Sequence, residues 1–321
     1  MLLRRGDRRA LARALTLVES TRPDHQRQSE GLIETILPDC GHATRLGISG
    51  PPGAGKSTFI ERFGLDGIAR GHRIAVLAVD PGSKRGGGAI LGDKTRMAEL
   101  GRAPDAFIRP SSAGAETGGV ARRTREAILV CEAAGFDTVL VETVGAGQAE
   151  TTVAEMVDMF VLVLPPASGD ELQGIKRGIV ELADLILVNK ADGELRDHAH
   201  RSAAEYANAL RLIRPAHADW QVAVRAVSAL TGDGIDAAWD DVARFRAVLE
   251  ASGAWQRRRA DQGRAALWRE IGDSLVERFR AAPAVAARIG EIERDVMEGG
   301  RTPAAAARLL LAAFLGEGQS P

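Results

Sequence analysis

The sequence predicts an α/β fold, a doubly wound and mostly parallel sheet with helices before and after it. Short apolar runs alternate with helical segments from residue 45 to residue 235, as expected for parallel strands covered on both faces. A glycine-rich loop follows the first of these runs. After Asp236 only helical periodicity continues. We therefore expect an N-terminal helical segment (1–44), a sheet domain (45–235) and a C-terminal helical arm (236–321).

Local patterns predict each element in chain order. Leu11, Leu15 and Val18 repeat at helical spacing within residues 8–20, and a second helix is expected to end before Pro38. Strands are expected over 45–49, 74–79, 106–108, 138–141, 159–164, 185–188 and 222–227. Helices are expected over 120–134, 199–212, 236–251, 255–281, 284–298 and 303–315.

Composition limits the class of protein. Lys+Arg 42 against Asp+Glu 43 gives a net charge of −1, which offers no argument for nucleic acid or an anionic membrane as a partner. With only Cys40 and Cys131, a disulfide framework is excluded and a cytoplasmic location is favoured. No apolar run approaches the roughly 18 residues that span a bilayer. The arginine-rich residues 1–18 could be a transit peptide, but Asp7 and Glu19 favour a native helix.

The loop after the first strand predicts a phosphate site. Residues 50–57, GPPGAGKS, match G-x-x-x-x-G-K-[ST] and precede a segment that can open a helix. We call them the P-loop. Its glycines allow backbone N–H groups to face phosphate oxygens at a helix N-terminus. Lys56 is expected to reach the β- and γ-phosphates, and Ser57 to ligate Mg²⁺. The predicted nucleotide contacts here are Gly50, Gly53, Ala54, Gly55, Lys56, Ser57 and Thr58.

A second motif predicts the base. Residues 189–192, NKAD, follow the apolar run 184–188 and match N-K-x-D, and we call them the guanine loop. The Asp192 carboxylate can accept from N1–H and the 2-amino group of guanine. Adenine would leave it desolvated and unpaired, a discrimination of roughly 10³-fold. Lys190 is expected to lie along the base, and Asn189 to brace neighbouring loops. A final loop, expected to offer a backbone N–H to guanine O6, consists of Ser228, Ala229 and Leu230.

Residues between these motifs are expected to sense the γ-phosphate. Glu142 ends a strand where a D-x-x-G switch is expected, and its carboxylate is predicted to hold a Mg²⁺-bound water. Gly145 could donate its N–H to the γ-phosphate. Asp80 and Asp93 are further candidates for Mg²⁺ or its waters, with turn or helix-cap roles as alternatives. Gln148 is a candidate for orienting the attacking water, with a structural role as the alternative.

Six further stretches of the sequence, taken together, resemble one known family. They are Asp80-Pro81, Gly87-Gly88, IleLeuGlyAspLysThrArgMet over 90–97, PheIleArgPro over 107–110, GluThrValGly over 142–145 and GlyAspGluLeuGlnGlyIleLys over 169–176. These strings resemble the MeaB family, also called ArgK-type, whose members are P-loop GTPases and chaperones of adenosylcobalamin-dependent acyl-CoA mutases such as methylmalonyl-CoA mutase. The resemblance extends from about residue 8 to residue 316.

The resemblance implies a homodimeric GTPase that is slow alone and stimulated by its partner. It implies binding to a mutase, gating of adenosylcobalamin delivery from an adenosyltransferase, which would be an indirect partner, and protection or reactivation of the mutase. Mg²⁺ and GTP or GDP are the implied bound groups, with no cobalamin on this chain itself. The loops 83–88 and 111–116 depart from the family pattern. The client could therefore be methylmalonyl-CoA mutase or a related isobutyryl- or 2-hydroxyisobutyryl-CoA mutase.

The resemblance also implies a third switch that senses nucleotide and client. Its residues include Gln173, Gly174, Lys176 and Arg177. Position 51 is proline, so the P-loop lacks the second lysine that some dimeric relatives use. We expect Lys176 or Arg177 to supply that charge when the client orders its loop, with a solvated lysine on a helix face as the alternative.

Two other functions and the state of association stay open. A nickel-insertion GTPase would need Cys or His ligands, and His198 and His200 are the only close histidine pair. A transport-system kinase would need an acceptor site and a catalytic base, for which the sequence offers no candidate.

The C-terminal arm is expected to mediate dimerisation, with intrachain packing as the alternative. Its apolar residues are Leu267, Trp268, Ile271, Leu275, Val276 and Phe279.

Overall fold

The computed structural model describes residues 2–79, 97–110, 119–143, 149–166, 177–211, 217 and 219–316. Seven strands form one sheet in the order β3-β2-β4-β1-β5-β6-β7, and every pair of neighbours is parallel. The strands are β1 (Thr44–Ser49), β2 (Ile74–Val79), β3 (Ala106–Arg109), β4 (Thr138–Thr143), β5 (Met159–Leu164), β6 (Leu185–Val188) and β7 (Ala223–Ala226). The predicted fold class is confirmed.

The apolar character of the strands explains this topology. Every residue of β4 and of β5 is buried, which requires cover on both faces and suits parallel strands. Successive side chains point to opposite faces. Leu140 accordingly packs in one core cluster, while its neighbours Val139 and Val141 pack in the other. The sheet therefore separates two apolar layers, and the strand C-terminal ends form one shared edge.

Helices precede the sheet, connect its strands and follow it in the chain. They are α1 (Arg8–Val18), α2 (Pro23–Ile36), α3 (Lys56–Ala69), α4 (Gly119–Ala133), α5 (Ala149–Ala154), α6 (Arg177–Leu182), α7 (Arg196–Leu210), α8 (Ile235–Ala251), α9 (Ala254–Ala281), α10 (Pro283–Ala286), α11 (Ile289–Met297) and α12 (Pro303–Leu315). Single 3₁₀ turns occupy Leu3–Arg5, Leu37–Asp39, Leu100–Arg102 and Gly193–Leu195. No helix among the described residues is long and apolar enough to cross a membrane.

Two details of the predicted helices were wrong. The single helix expected over 284–298 is two helices, α10 and α11. Arg288 has φ −119°, away from the helical value, and its N–H bonds to Val285 O at i−3, which interrupts the α-helical ladder. The second helix was expected to continue up to Pro38, but α2 ends at Ile36, and Leu37 lies in a 3₁₀ turn with Pro38 and is 55% exposed.

The chain divides into two compact units, Met1–Gln262 and Gly263–Pro321, and the division falls inside α9. The second unit has a small core of Val285, Ile292, Ala306 and Leu310. Phe279 packs against this core, and its ring lies edge-on to Phe314, with the ring centroids 5.4 Å apart.

A buried group of ionisable residues lies at the start of β6. The Asp184 carboxylate, 1% exposed, accepts from the Phe160 N–H at 2.8 Å. Burial raises the pKa of Asp184 to about 6, against the opposing effect of Arg258. The guanidinium of Arg258 donates to Nε2 of His217, so that ring is neutral. Burial and the Arg258 charge lower the pKa of His217 to about 4.

Asp184 and His217 should therefore change stability in opposite directions with pH. A raised carboxyl pKa stabilises the fold below about pH 4, and this contribution is lost as the pH rises to about 6. A lowered histidine pKa stabilises the fold above about pH 6.5, and this contribution is lost as the pH falls to about 4. As the pH falls from 6.5 to 4, the free energy of unfolding of Asp184→Asn should decrease by about 2 to 3 kcal/mol relative to the wild type. That of His217→Gln should increase by a similar amount relative to the wild type. Urea unfolding at several pH values tests this. Parallel profiles for the two variants would contradict it.

Candidate nucleotide site

The P-loop follows β1 at the centre of the sheet, where strand order reverses. Gly50, Gly53 and Gly55 have φ of 147°, 81° and 86°, values that side chains rarely allow. A Cβ on Gly50 would lie 1.9 Å from the carbonyl oxygen of Val163 in β5. A Cβ on Gly55 would lie 2.5 Å from Nδ2 of Asn189. Gly50 and Gly55 must therefore be glycine, because a side chain would overlap the Val163 carbonyl at one position and the Asn189 side chain at the other.

Lys56 is buried at the start of α3 and faces its own loop. Its Nζ donates to Gly50 O at 2.7 Å and to Pro51 O at 3.2 Å. An ammonium group has three N–H donors, so one remains for a phosphate oxygen. Burial lowers the pKa of Lys56, while the carboxylates of Glu142 and Glu150 raise it. The loop thus holds an ammonium group at the base of the predicted phosphate cradle.

Ser57 and Glu142 bring two hard oxygen ligands together. The Ser57 hydroxyl donates to Oε1 of Glu142 at 3.1 Å, and Glu142 is buried at the end of β4. β4 pairs directly with β1, and Glu142 lies opposite Ile48, two residues before the P-loop. Hydroxyl and carboxylate oxygens are the ligands that Mg²⁺ prefers. The pair fits a site in which Ser57 touches the metal and Glu142 holds a bound water.

Asn189 connects the guanine loop to the P-loop. Its Nδ2 donates to Ala54 O at 2.9 Å, and its Oδ1 accepts from the Ala229 N–H at 3.0 Å. The side chain is buried, so both hydrogen bonds are shielded from water. One amide therefore holds three segments at the carboxyl edge of the sheet: the P-loop, the guanine loop and the final loop.

The carboxylate of Asp192 is positioned by the final loop. The Ser228 hydroxyl donates to Oδ2 of Asp192 at 2.5 Å and accepts from the Thr231 N–H at 3.0 Å. Lys190 has φ 62°, the only positive φ outside glycine among the described residues. A strained backbone of this kind is common at ligand sites. The Leu230 side chain, next in the final loop, is 76% exposed.

The structure brings together the P-loop, Glu142, the guanine loop and the final loop. Thr58 is the third residue of α3 and is exposed. Several predicted site residues lie outside the described residues: Asp80, Asp93, Gly145, Gln148, Gln173, Gly174 and Lys176. Arg177 begins α6, and its side chain is also outside the description. Glu150, which acts on Lys56, was missed by sequence reasoning because no motif marks it. The available signal was an acid in the first turn of the helix that follows the D-x-x-G switch at Glu142.

Replacing Asp192 should change the preferred base. In Asp192→Asn an amide can donate to the oxygen that xanthine carries in place of the guanine amine. We expect GTP affinity to fall about 10²-fold or more and xanthosine triphosphate to bind more tightly than GTP. Competition against a fluorescent GDP analogue measures both affinities. The matched control is Asp197→Asn, which changes an exposed acid in the first turn of α7. Unchanged GTP affinity in Asp192→Asn would contradict a guanine contact.

Comparison with known proteins gives a consistent picture. The model of the family "Methylmalonyl Co-A mutase-associated GTPase MeaB" matches residues 11–284. A putative GTPase of Caulobacter vibrioides is 56% identical over 96% of this chain and 94% of its own length. The mitochondrial methylmalonic aciduria type A homolog of Mus musculus is 48% identical over 97% of this chain and 77% of its own. A crystal structure of an LAO/AO transport system kinase superposes with TM-score 0.78 at 39% identity, covering 98% of this chain and 95% of that one. The chain therefore belongs to the MeaB family of methylmalonyl-CoA mutase-associated GTPases.

Proposed function

We propose that this GTPase is a chaperone that binds an adenosylcobalamin-dependent acyl-CoA mutase, gates loading of its cofactor, and protects or reactivates it. The client is methylmalonyl-CoA mutase or a related isobutyryl- or 2-hydroxyisobutyryl-CoA mutase. The observation that supports this most is the joining of the P-loop and the guanine loop through Asn189, in a chain of a mutase-associated family. A site built this way can couple the state of the nucleotide to the loops around it.

The residues of the site divide the chemistry of hydrolysis between them. Lys56 places positive charge beside the β- and γ-phosphates, and Ser57 and Glu142 are the described residues that would hold Mg²⁺ and its water. When bound, Mg²⁺ would supply positive charge that offsets the negative charge of the transferring phosphoryl group. Asp80 and Asp93 would complete the metal surroundings, Gly145 would contact the γ-phosphate, and Gln148 would orient the attacking water.

The third switch would link hydrolysis to the client. Within the described site, the negative charges of Glu142 and Glu150 offset the single positive charge of Lys56. Hydrolysis therefore needs further positive charge on the transferring phosphoryl group. Lys176 or Arg177 would supply it once the client orders the segment that contains Gln173 and Gly174. Turnover would be slow in the free chain and fast in the complex.

The client should stimulate GTP hydrolysis through the third switch. We expect the rate to rise about tenfold or more with the correct mutase, and Lys176→Ala to lose the stimulation without a change in GDP affinity. Steady-state hydrolysis with each candidate apo- and holo-mutase measures this, with Arg201→Ala, an exposed arginine of α7, as the control. An unchanged rate with every mutase would overturn the chaperone proposal. Full stimulation of Lys176→Ala would exclude that lysine and leave Arg177. A phosphorylated acceptor product would favour a transport-system kinase instead.

We also propose that the chain works as a homodimer. Trp268, Ile271 and Leu275 of α9 follow the i, i+3, i+7 spacing of one helix face and are 68%, 37% and 55% exposed. Leu267 and Val276 are exposed beside them. An apolar surface of this kind on a helix commonly marks a protein contact. A second copy of the same face would cover it symmetrically.

Charge on this face should prevent dimerisation. The double variant Trp268→Glu/Leu275→Glu would place desolvated carboxylates in the interface, so we expect a monomer at micromolar concentration. Light scattering after size exclusion measures the mass. Leu37→Glu, which changes an equally exposed leucine of the first unit, is the matched control and should remain dimeric. A monomeric wild-type chain, or a double variant that stays dimeric, would contradict the proposed interface.

A further inference from the structure

Two buried hydroxyl groups join the strand that leads into the P-loop to the strand that carries Glu142. Ser49 is the last residue of β1 and Thr143 is the last residue of β4, and both are 0% exposed. The Thr143 hydroxyl donates to Oγ of Ser49 at 2.9 Å. The backbone pairing of β1 with β4 runs as far as Ile48 opposite Glu142. The hydroxyl pair therefore connects the two strands one residue beyond that pairing, at the carboxyl edge of the sheet.

Stability alone does not explain why these two positions carry hydroxyl groups. The earlier residues Val139, Leu140 and Val141 of β4 are apolar and fully buried. Valine has the shape of threonine and would bury a methyl group in place of the hydroxyl. Replacing both partners of a buried hydrogen bond by apolar groups of the same shape can be neutral or stabilising. Holding the two strand ends in register is a role that only the hydroxyl pair can fill.

The pair lies across the sheet from the contact between Ser57 and Glu142. Side chains alternate between the faces of a strand, so Thr143 and Glu142, adjacent in β4, point to opposite faces. On one face, Thr143 is bonded to Ser49. On the other, the Ser57 hydroxyl donates to Oε1 of Glu142 at 3.1 Å. Because Ser49 immediately precedes Gly50, two side-chain hydrogen bonds fix the end of β4 relative to the P-loop, one on each face.

We propose that Thr143 and Ser49 are positioning residues for GTP hydrolysis, whose hydrogen bond holds the Glu142 carboxylate beside the Ser57 hydroxyl. The proposal rests on the role given to Glu142 in the proposed function. Misplacing a reacting group by about 1 Å can cost 10²-fold in rate, so a loosened strand end should slow hydrolysis. Binding of GDP uses the P-loop and the guanine loop, which the hydroxyl pair does not contact through the nucleotide, and should change little.

Removing the Thr143 hydroxyl should slow hydrolysis without weakening nucleotide binding. For Thr143→Val we expect the single-turnover rate of GTP hydrolysis to fall about tenfold, with GDP affinity within about twofold of the wild type. Ser49→Ala should give the same loss, and the double variant no further loss, because both changes remove one interaction. Thr143→Ser keeps the hydroxyl and should retain most of the rate. Rapid-quench hydrolysis and titration with a fluorescent GDP analogue measure these values.

Urea unfolding and a control on the same strand separate positioning from stability. Thr138→Val changes a threonine that is 2% exposed at the other end of β4, and it should hydrolyse GTP at the wild-type rate. A purely structural pair would lower the urea midpoint of Thr143→Val and restore it in the double variant, with hydrolysis unchanged while each variant is folded. That result would overturn the proposal. An equal loss of rate in Thr143→Ser or in Thr138→Val would also overturn it.

Glu142→Gln distinguishes a failure of this proposal from a failure of the role given to Glu142. We expect this variant to hydrolyse GTP about tenfold more slowly than the wild type or worse. A wild-type rate in Glu142→Gln would remove the role of Glu142, and the proposal with it. A slow Glu142→Gln beside an unimpaired Thr143→Val would overturn only the positioning role of the hydroxyl pair.

Discussion

The close approach of the P-loop to the backbone of β5 is the constraint on which the site depends. A side chain on Gly50 would overlap the Val163 carbonyl, so the loop can turn there only as glycine. Because β5 pairs with β1 and with β6, that carbonyl belongs to the rigid centre of the sheet. Lys56 then closes the loop by donating back to Gly50 O. The position of the phosphate cradle is therefore set by main-chain atoms rather than by adaptable side chains.

The order of the strands also sets the position of the guanine loop relative to the P-loop. β6 is separated from β1 only by β5, so the guanine loop reaches the same edge of the sheet as the P-loop. Asn189 spans the gap with hydrogen bonds to Ala54 and Ala229. Its Nδ2 also fills the space that a side chain on Gly55 would need. The distance between base and phosphate is consequently a property of the fold, and a nucleotide that fits one loop is held in register with the other.

The sequence alone predicted the sheet, and the loops at the ends of β1 and β6 that carry the nucleotide motifs, because these patterns are local. Continuous apolar runs identified the strands, and β7, at the edge of the sheet, was shorter than expected by one residue at each end. The break at Arg288 was missed because the glycine nearest to it, Gly290, is tolerated inside a helical pattern and does not by itself mark a helix end. Glu150 was missed for a different reason. Its charge acts on Lys56 from a segment distant in sequence, and no short motif records such a relation.

The balance of charge explains why such a site suits a switch controlled by a partner. Within the described residues, the charges of two buried acids, Glu142 and Glu150, act on one buried lysine, Lys56. The negative charges of both acids favour the charged form of the lysine, but they also reduce the net positive charge available to a transferring phosphoryl group. Phosphoryl transfer needs that positive charge in the transition state more than in the bound ground state. A site with this balance can bind nucleotide firmly yet hydrolyse it slowly. Under the proposed function, its rate would depend on a cation that arrives with the metal or with the loop that a client orders.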